Sequence, residues 1–301
     1  LVALAVGALE EYAVEGLRVP GRIITTRGKS AMASYAAAQM PGILDALEAY
    51  FGRPYPYAKL DSVALPEFPF GAMENAGLIT YREDLLLIDA ERASLEQKRA
   101  SVSVMAHEMA HQWYGNLVTM RWWDDLWLNE AFASWMGTKI ISQLYPQLET
   151  QLNLPQNSAM PTDALVSTRP IRKPVRTEAD VFDGLGLAYS KGSAVLGMVE
   201  QWIGAAAFRD GIHAYLKAHE FGNAQADDLW GALGKAADKD VAAVLRSFIE
   251  QASFPQIRVE LSGKSLKLSQ QRFAYPGAKA PAQSWTVPVN ISYGDGKRRR
   301  S

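Results

Sequence analysis

The sequence predicts an α+β protein that is mostly helical, with a small mixed β-sheet before the helices and the start of an all-β module after them. Three observations support this prediction. Short apolar runs bounded by turn residues precede residue 82, helical periodicity dominates residues 94–251, and alternation with a period of two returns after Pro255. A chain of 301 residues is long enough for two domains, one large and one small.

The elements before residue 94 are predicted as short strands and one helix. The first 25 residues indicate strand and connection. Apolar residues at helical spacing predict a helix over residues 29–51, which Pro41 should start or interrupt. Residues 61–65 and 76–81 predict two strands, separated by a loop rich in proline and glycine.

The central part of the chain is predicted to be helical. Ser94 and Gln97 have the spacing of a capping box, which predicts a helix from there to about Gly115. A second helix is predicted over residues 128–144. Further helical patterns cover residues 192–203, 205–219, 226–236 and 241–251.

The last part of the chain is predicted to be β-structure. Apolar and polar residues alternate over residues 257–261 and 266–268, and Gly263 between these runs predicts a hairpin. Residues 285–293 predict a third strand. The change of period near Pro255 therefore indicates a domain boundary.

Composition and charge exclude several classes of protein. Hydrophobic residues make up 48% and charged residues 21%, which excludes disordered, collagen-like and coiled-coil chains. The net charge of −1 indicates no nucleic acid or anionic membrane as the main partner, and no apolar stretch is long enough for a membrane span. The basic run at 297–300 follows a turn signal at 294–296 and is interpreted as a solvated turn or a truncation edge. Without cysteine, a metal site must use histidine and carboxylates.

A candidate zinc site comes from two of the four histidines, in His107-Glu108-Met109-Ala110-His111. This H-E-x-x-H spacing places both imidazoles on one helix face, and Glu108 beside the metal-bound water. Glu130, on the next predicted helix, is the candidate third ligand. His213 and His219 have no neighbouring motif and are interpreted as surface or boundary residues.

Other polar and aromatic residues near Glu130 have less specific interpretations. Asn129, Asp124 and Asp125 are either groups that support the metal ligands or structural caps. An aromatic cluster is interpreted as core packing between the two zinc helices. Its members are Trp113, Tyr114, Trp122, Trp123 and Trp127.

The order and spacing of several motifs resemble the aminopeptidase N-type zinc metallopeptidases. The motif Gly71-Ala72-Met73-Glu74-Asn75 matches the GAMEN signature of that family, and His107 to His111 with Glu130 matches the Glu-zincin pattern. The resemblance covers roughly residues 20–255. It implies a thermolysin-like catalytic domain over residues 21–253, preceded in residues 1–20 by the end of an amino-terminal β domain and followed in residues 254–301 by a partial β-sandwich module.

The resemblance also implies roles for individual residues. One Zn²⁺ per chain would be bound by His107, His111 and Glu130, with Glu108 as general base. Glu74 would bind the free amino group of a peptide substrate, with Gly71, Ala72, Met73 and Asn75 as the rest of the substrate-binding motif. Tyr189, in Tyr189-Ser190-Lys191-Gly192, would stabilise the transition state, although Phe182-Asp183 stands about two residues further from it than in the family.

Two alternatives to a zinc aminopeptidase remain open at this stage. A leukotriene-type epoxide hydrolase shares the zinc motif, and a catalytically inactive relative would only bind peptides. The intact motif at residues 71–75 argues against the first, and retention of Glu108 and Tyr189 argues against the second. We expect the chain to be a piece of a longer protein. Preferred terminal residue, oligomeric state and compartment are not encoded in any recognisable motif.

Overall fold

The computed structural model describes residues 3–263, 265–291, 293–294 and 299–300. The predicted turn at 294–296 and the basic run at 297–300 lie partly outside these ranges. The strands are β1 (Leu9–Ala13), β2 (Gly21–Thr26), β3 (Leu60–Leu65), β4 (Ala72–Met73), β5 (Leu78–Arg82), β6 (Val118–Met120), β7 (Gly222–Ala224), β8 (Pro255–Ser262), β9 (Ser265–Arg272), β10 (Tyr293–Gly294) and β11 (Arg299–Arg300). The helices are α1 (Ser34–Phe51), α2 (Glu83–Leu86), α3 (Leu95–Ala110), α4 (Leu126–Leu144), α5 (Pro155–Asp163), α6 (Glu178–Phe182), α7 (Leu185–Ile203), α8 (Ala205–His219), α9 (Ala226–Ala237) and α10 (Val241–Ile249).

The described residues divide into two compact units. The first comprises residues 1–121, 128–154 and 216–224, and the second comprises residues 122–127, 155–215 and 225–301. These units do not test the domain boundaries predicted at residues 20 and 253, which stay predictions. Within the described residues, no helix has both the length and the apolar character that a membrane crossing requires.

The first unit contains a five-stranded mixed sheet in the order β1-β2-β3-β5-β4. Strands β2, β3 and β5 are parallel, and the two outer strands pair antiparallel. Residues 60–64 of β3 are all buried, as is typical of a central strand covered on both faces. The predicted strands at 61–65 and 76–81 are therefore confirmed, and β4 at the sheet edge carries part of the 71–75 motif.

Helix α1 continues through Pro41, so the prediction that this proline starts or interrupts the helix is wrong. Pro41 removes one backbone donor, but the helix buries Met40, Ile43, Leu44 and Phe51. Tertiary packing of this apolar face outweighs the loss of one intrahelical hydrogen bond. The helix ends at Phe51, and the C-cap residue Gly52 has a positive φ of 62°, which suits the left-handed conformation.

Helix α3 begins as the capping box predicts. Ser94 accepts a hydrogen bond from the backbone N–H of Gln97, and the Gln97 side chain accepts one from the backbone N–H of Ser94. The helix ends at Ala110, about five residues before the predicted end, with His111 as its C-cap residue. The chain then forms a turn and β6, which pairs parallel to β7.

The second unit is mainly helical and ends in β-structure. The hairpin of β8 and β9 confirms the sequence prediction. The third strand predicted over 285–293 does not form in residues 285–291. The backbone N–H and carbonyl of Trp285 instead bond to the side-chain amide of Gln270 at 2.8 and 2.9 Å, so these groups have no need of a strand partner.

Candidate metal centre and active site

The three predicted metal ligands converge in the first unit. The Nε2 atoms of His107 and His111 lie 3.0 Å apart. Glu130 Oε2 lies 3.4 Å from His107 Nε2 and 3.5 Å from His111 Nε2. Among the described residues, no hydrogen bond reaches this buried Glu130 oxygen.

These separations fit a tetrahedral metal ion. Zinc bonded at about 2.1 Å to nitrogen and oxygen separates neighbouring ligand atoms by roughly 3.4 Å. The three atoms form a triangle with sides of 3.0, 3.4 and 3.5 Å. Two imidazole nitrogens and one carboxylate oxygen are donors typical of zinc sites that keep a fourth position open. His107, His111 and Glu130 would therefore hold the ion.

The His111 ring is fixed by the turn that follows α3. Its Nδ1 lies 2.9 Å from the backbone carbonyl oxygen of Tyr114, which leaves Nε2 to face the other ligands. Gly115 has a φ of +122°, and a Cβ at this position would lie 3.3 Å from His111 Nδ1 and 3.2 Å from the Asn129 side chain. Only glycine suits both the backbone conformation and this close approach.

Glu108 lies between the two ligand histidines in sequence and is buried, with 5% of its surface exposed. Burial raises the pKa of its carboxyl group well above the usual value, and the nearby carboxylates of Glu74 and Glu130 raise it further, against the opposing effect of His111. Its Oε2 accepts no hydrogen bond from the described residues. A buried carboxyl group of this kind is suited to proton transfer.

The charges around His111 shift its proton affinity in the metal-free site. Burial alone would lower the pKa of His111, but Glu74, Glu130 and Glu108 outweigh this effect and raise that pKa to about 10. For Glu130, burial would raise the pKa, but His111 and His107 outweigh it and hold the pKa well below its usual value. Burial also lowers the pKa of His107. Without a metal ion, the neighbouring carboxylates would therefore favour the protonated form of the His111 imidazole.

The 71–75 motif brings Glu74 to the same site. Ala72 and Met73 form β4 against β5, Gly71 accepts a backbone hydrogen bond from Arg82, and Asn75 bonds to the Met73 carbonyl. Glu74 is buried, and its Oε1 lies 4.0 Å from His111 Nδ1. Glu74 therefore adds a third carboxylate to those of Glu108 and Glu130 beside the candidate metal centre.

Two amide side chains that sequence reasoning missed hold the backbone of Glu74. The carbonyl oxygen of Glu74 accepts hydrogen bonds from Gln112 Nε2 at 3.1 Å and from Asn116 Nδ2 at 2.7 Å. Gln112 also donates to the Glu108 carbonyl at 3.2 Å. Both residues follow His111 closely in sequence, but nothing in their spacing indicates a partner about 40 residues earlier.

Tyr189 lies in the second unit, in the second turn of α7, and is half-buried. The longer segment after Asp183 forms a turn at Gly184, with φ of +83°, and the first turn of α7. Two residues after Tyr189, Lys191 is buried and forms an ion pair with Asp163 at 3.0 Å. The role of Tyr189 stays a prediction.

Asp124 and Asp125 have structural contacts in the second unit. Asp125 accepts hydrogen bonds from Arg172 Nε at 2.7 Å and from the backbone N–H of Ala226 at the start of α9. Asp124 accepts one from the backbone N–H of Val175 at 2.6 Å. These contacts fit the interpretation of Asp124 and Asp125 as structural residues better than a role in supporting the metal ligands.

The predicted aromatic core between the zinc helices is only partly correct. Trp113, Tyr114 and Trp127 are buried, but Trp122 and Trp123 are 58% and 46% exposed. Trp122 and Trp123 precede α4, and the Trp122 indole N–H donates a hydrogen bond to the carbonyl oxygen of Val175 at 3.0 Å. The three buried aromatic residues have partners outside the two helices. Trp113 packs on Phe51 of α1, and Trp127 packs on Trp230 of α9. His213 and His219 are half-buried on α8 and belong to none of the possible metal clusters of the described residues.

Known proteins are similar to this chain over most of its length. Residues 35–248 match the Peptidase family M1 domain. The chain is 41% identical over 294 residues to "Aminopeptidase 2" of Candida albicans, covering 95% of this chain and 32% of that protein. It is 40% identical over 284 residues to "Leucyl aminopeptidase" of Saccharolobus solfataricus, covering 92% of this chain and 36% of that protein. It thus spans about a third of the length of these curated relatives. With a family match over residues 35–248 and the motifs at 71–75, 107–111 and 130 assembled in one unit, the chain belongs to peptidase family M1.

Proposed function

We propose that this chain carries the active site of a zinc-dependent aminopeptidase, which removes the amino-terminal residue from peptides. The observation that carries the proposal is one cluster of buried and half-buried groups in a family M1 chain. It joins a ligand triangle of His107, His111 and Glu130 to two further carboxylates, Glu108 and Glu74. Peptides with a free amino terminus are the proposed substrates.

Zinc is the proposed ion, with one per chain. When bound, zinc polarises the scissile carbonyl and makes a water molecule acidic near neutral pH. The two-histidine, one-carboxylate donor set supports zinc over ions that prefer oxygen ligands alone. The close fit of the ligand triangle to tetrahedral coordination supports the same choice.

Glu108 is the proposed general base. In its ionised form, its carboxylate takes a proton from the attacking water, whose oxygen bonds to the carbonyl carbon. The same carboxyl group then delivers the proton to the leaving amide nitrogen as the C–N bond breaks. The raised pKa of Glu108 supports this role, because a stronger base takes the proton more readily and the acid form is then available for the second step.

Glu74 and Tyr189 have proposed roles in binding and in the transition state. A free amino group is cationic at neutral pH, and the Glu74 carboxylate would pair with it in the buried site. The Tyr189 hydroxyl would donate a hydrogen bond to the oxyanion of the tetrahedral intermediate. Tyr189→Phe should then lower kcat with little change in KM, and an unchanged kcat would return Tyr189 to a packing role.

Substrate turnover and metal content together test the proposed function. The purified protein should bind one zinc ion per chain and hydrolyse aminoacyl reporters, while Glu108→Gln should keep zinc and lose about two to four orders of magnitude in kcat. Loss of zinc in this variant would make Glu108 a ligand or a structural residue. Turnover of an epoxide without turnover of any aminoacyl reporter would reject the proposal in favour of a hydrolase of a different class.

A further inference from the structure

One face of α4 contacts His107 at three points. Glu130, Ser134 and Gly137 follow one another at spacings of four and three residues, which places them on the same helix face. Glu130 Oε2 lies 3.4 Å from His107 Nε2, and Ser134 Oγ lies 3.3 Å from His107 Nδ1. A Cβ at Gly137 would lie 3.2 Å from the backbone nitrogen of His107. This face therefore meets both ring nitrogens and the backbone of one residue.

The chemistry of imidazole indicates which group donates the hydrogen bond between His107 and Ser134. A neutral imidazole has one N–H group and one nitrogen with a free lone pair. His107 Nε2 faces His111 and Glu130, so metal binding needs the lone pair at Nε2 and the proton at Nδ1. The Nδ1–H group then donates to an acceptor, and the hydroxyl oxygen of Ser134 lies within hydrogen-bonding distance.

We propose that Ser134 is a positioning residue of the metal site, whose hydroxyl oxygen accepts the Nδ1–H hydrogen bond of His107 and thereby fixes the ring with Nε2 toward zinc. The inference rests on the proposed function, because it requires His107 to be a ligand. The same helix thus supplies the third ligand, Glu130, and one turn later the group that orients the first ligand. The other histidine ligand differs, since His111 Nδ1 faces a backbone carbonyl that no side-chain substitution at Tyr114 removes.

Zinc affinity of the metal-free protein tests this inference without any activity measurement. Competition with a chromophoric chelator should show that Ser134→Ala binds zinc about 10–100-fold more weakly than the original chain. Ser101→Ala is the matched control, because Ser101 is a fully buried serine on α3 whose hydroxyl makes no hydrogen bond within the described residues. This control should keep the original affinity. The visible spectrum of the cobalt-loaded protein should change for Ser134→Ala only.

A pair of variants of equal shape separates the hydroxyl from the volume of the side chain. Ser134→Thr keeps the hydroxyl and should retain most of the zinc affinity, whereas Ser134→Val has the same shape without it and should lose affinity as Ser134→Ala does. Equal affinities of the Thr and Val variants would overturn the inference, as would an unchanged affinity and cobalt spectrum in Ser134→Ala. If the original chain binds no stoichiometric zinc, the proposed function itself is wrong. This outcome differs from a wrong role for Ser134, in which the original chain binds zinc and the Ser134 variants bind it equally well.

Discussion

At the scale of single residues, the site is defined by a charge arrangement that suits a metal ion. Three carboxylates, Glu74, Glu108 and Glu130, surround His111 in a buried environment. Without an ion, the imidazole of His111 supplies the compensating positive charge, which is why its pKa rises to about 10. A bound cation would take over that role.

Metal binding should therefore be coupled to proton release. The raised pKa of His111 means that its interactions stabilise the metal-free fold fully below the unfolded pKa of about 6.5, and this contribution is lost as pH rises through about 10. A ligand imidazole must lose the proton, so the apparent zinc affinity should increase with pH up to about 10. Calorimetry in buffers of different ionisation enthalpy measures the released protons. A zinc affinity that does not change between pH 7 and 9 contradicts the prediction.

Glu74 should discriminate free from blocked amino termini. Glu74→Gln keeps the size of the side chain and removes its charge, so kcat/KM for a free aminoacyl substrate should fall at least about tenfold. The N-acetylated form of the same substrate should be poor from the outset and should change much less. Glu67→Gln, which alters an exposed acid in the preceding loop, is the matched control and should leave both values unchanged. Equal losses for the two substrates would show that Glu74 does not recognise the amine.

At the scale of elements, close packing of α3 against α4 sets the geometry of the ligand triangle. His107 and His111 come from the end of α3, and Glu130 comes from the second turn of α4. Gly137 allows the backbones to approach, because any Cβ there would press on the His107 backbone. The proposed metal centre thus depends on how the two helices pack as well as on the side chains they carry.

Gly137→Ala should destabilise the fold, although alanine favours helix over glycine. The added Cβ, 3.2 Å from His107 N, forces the helices apart and should cost about 1–3 kcal/mol in the free energy of unfolding, with weaker zinc binding. Gly42→Ala in α1 is the matched control. No atom lies within 4 Å of its added Cβ, so the gain in helix propensity should stabilise the fold by about 0.4–1 kcal/mol. Urea unfolding of the metal-free variants measures both. A more stable Gly137→Ala chain would show that the helices relax freely.

The sequence predicts features that depend on neighbouring residues and misses those that depend on contacts between distant residues. The ligand spacing of α3, the capping box at Ser94 and the hairpin of β8 and β9 depend on residues close in the chain, and all three are found in the structure. The partners of Glu74 and the contact of Ser134 with His107 join residues far apart in sequence, and local pattern holds no information on them. The strand predicted at Trp285 is absent for a similar reason, because the side-chain amide of Gln270, 15 residues earlier, forms hydrogen bonds with the Trp285 backbone.

At the scale of the whole molecule, the second unit has a buried ion pair where three segments meet. Lys191 of α7 pairs with Asp163 at the end of α5, and its ammonium group also donates to the carbonyl oxygens of Gln251 and Ser253 at 3.0 and 2.8 Å. Asp163 accepts hydrogen bonds from Ser253 N–H and from Thr168. Both charges are almost completely buried, so each depends on the other.

Asp163→Asn should destabilise the second unit strongly. The substitution keeps an acceptor oxygen but leaves the Lys191 ammonium group buried without a counter-charge, which should cost about 3–5 kcal/mol in the free energy of unfolding. Asp183→Asn removes a carboxylate from the more exposed pairs with Arg169 and Lys173 and should have a small effect. Urea unfolding followed by tryptophan fluorescence compares the two variants. Similar midpoints would mean that the buried pair adds no stability.

The α4 face formed by Glu130, Ser134 and Gly137 also restricts insertions and deletions in residues 130–137. Each residue of an α-helix advances the side-chain direction by about 100°. A single insertion or deletion between Glu130 and Gly137 would leave the helix intact but turn one of the three positions away from His107. The stretch 130–137 therefore tolerates no change in length without losing one of these contacts, and such a change should weaken metal binding even when His107, His111 and Glu130 are all retained. The segment between Asp183 and Tyr189 instead consists of a turn at Gly184 and the start of α7, and none of the three contacts with His107 involves it.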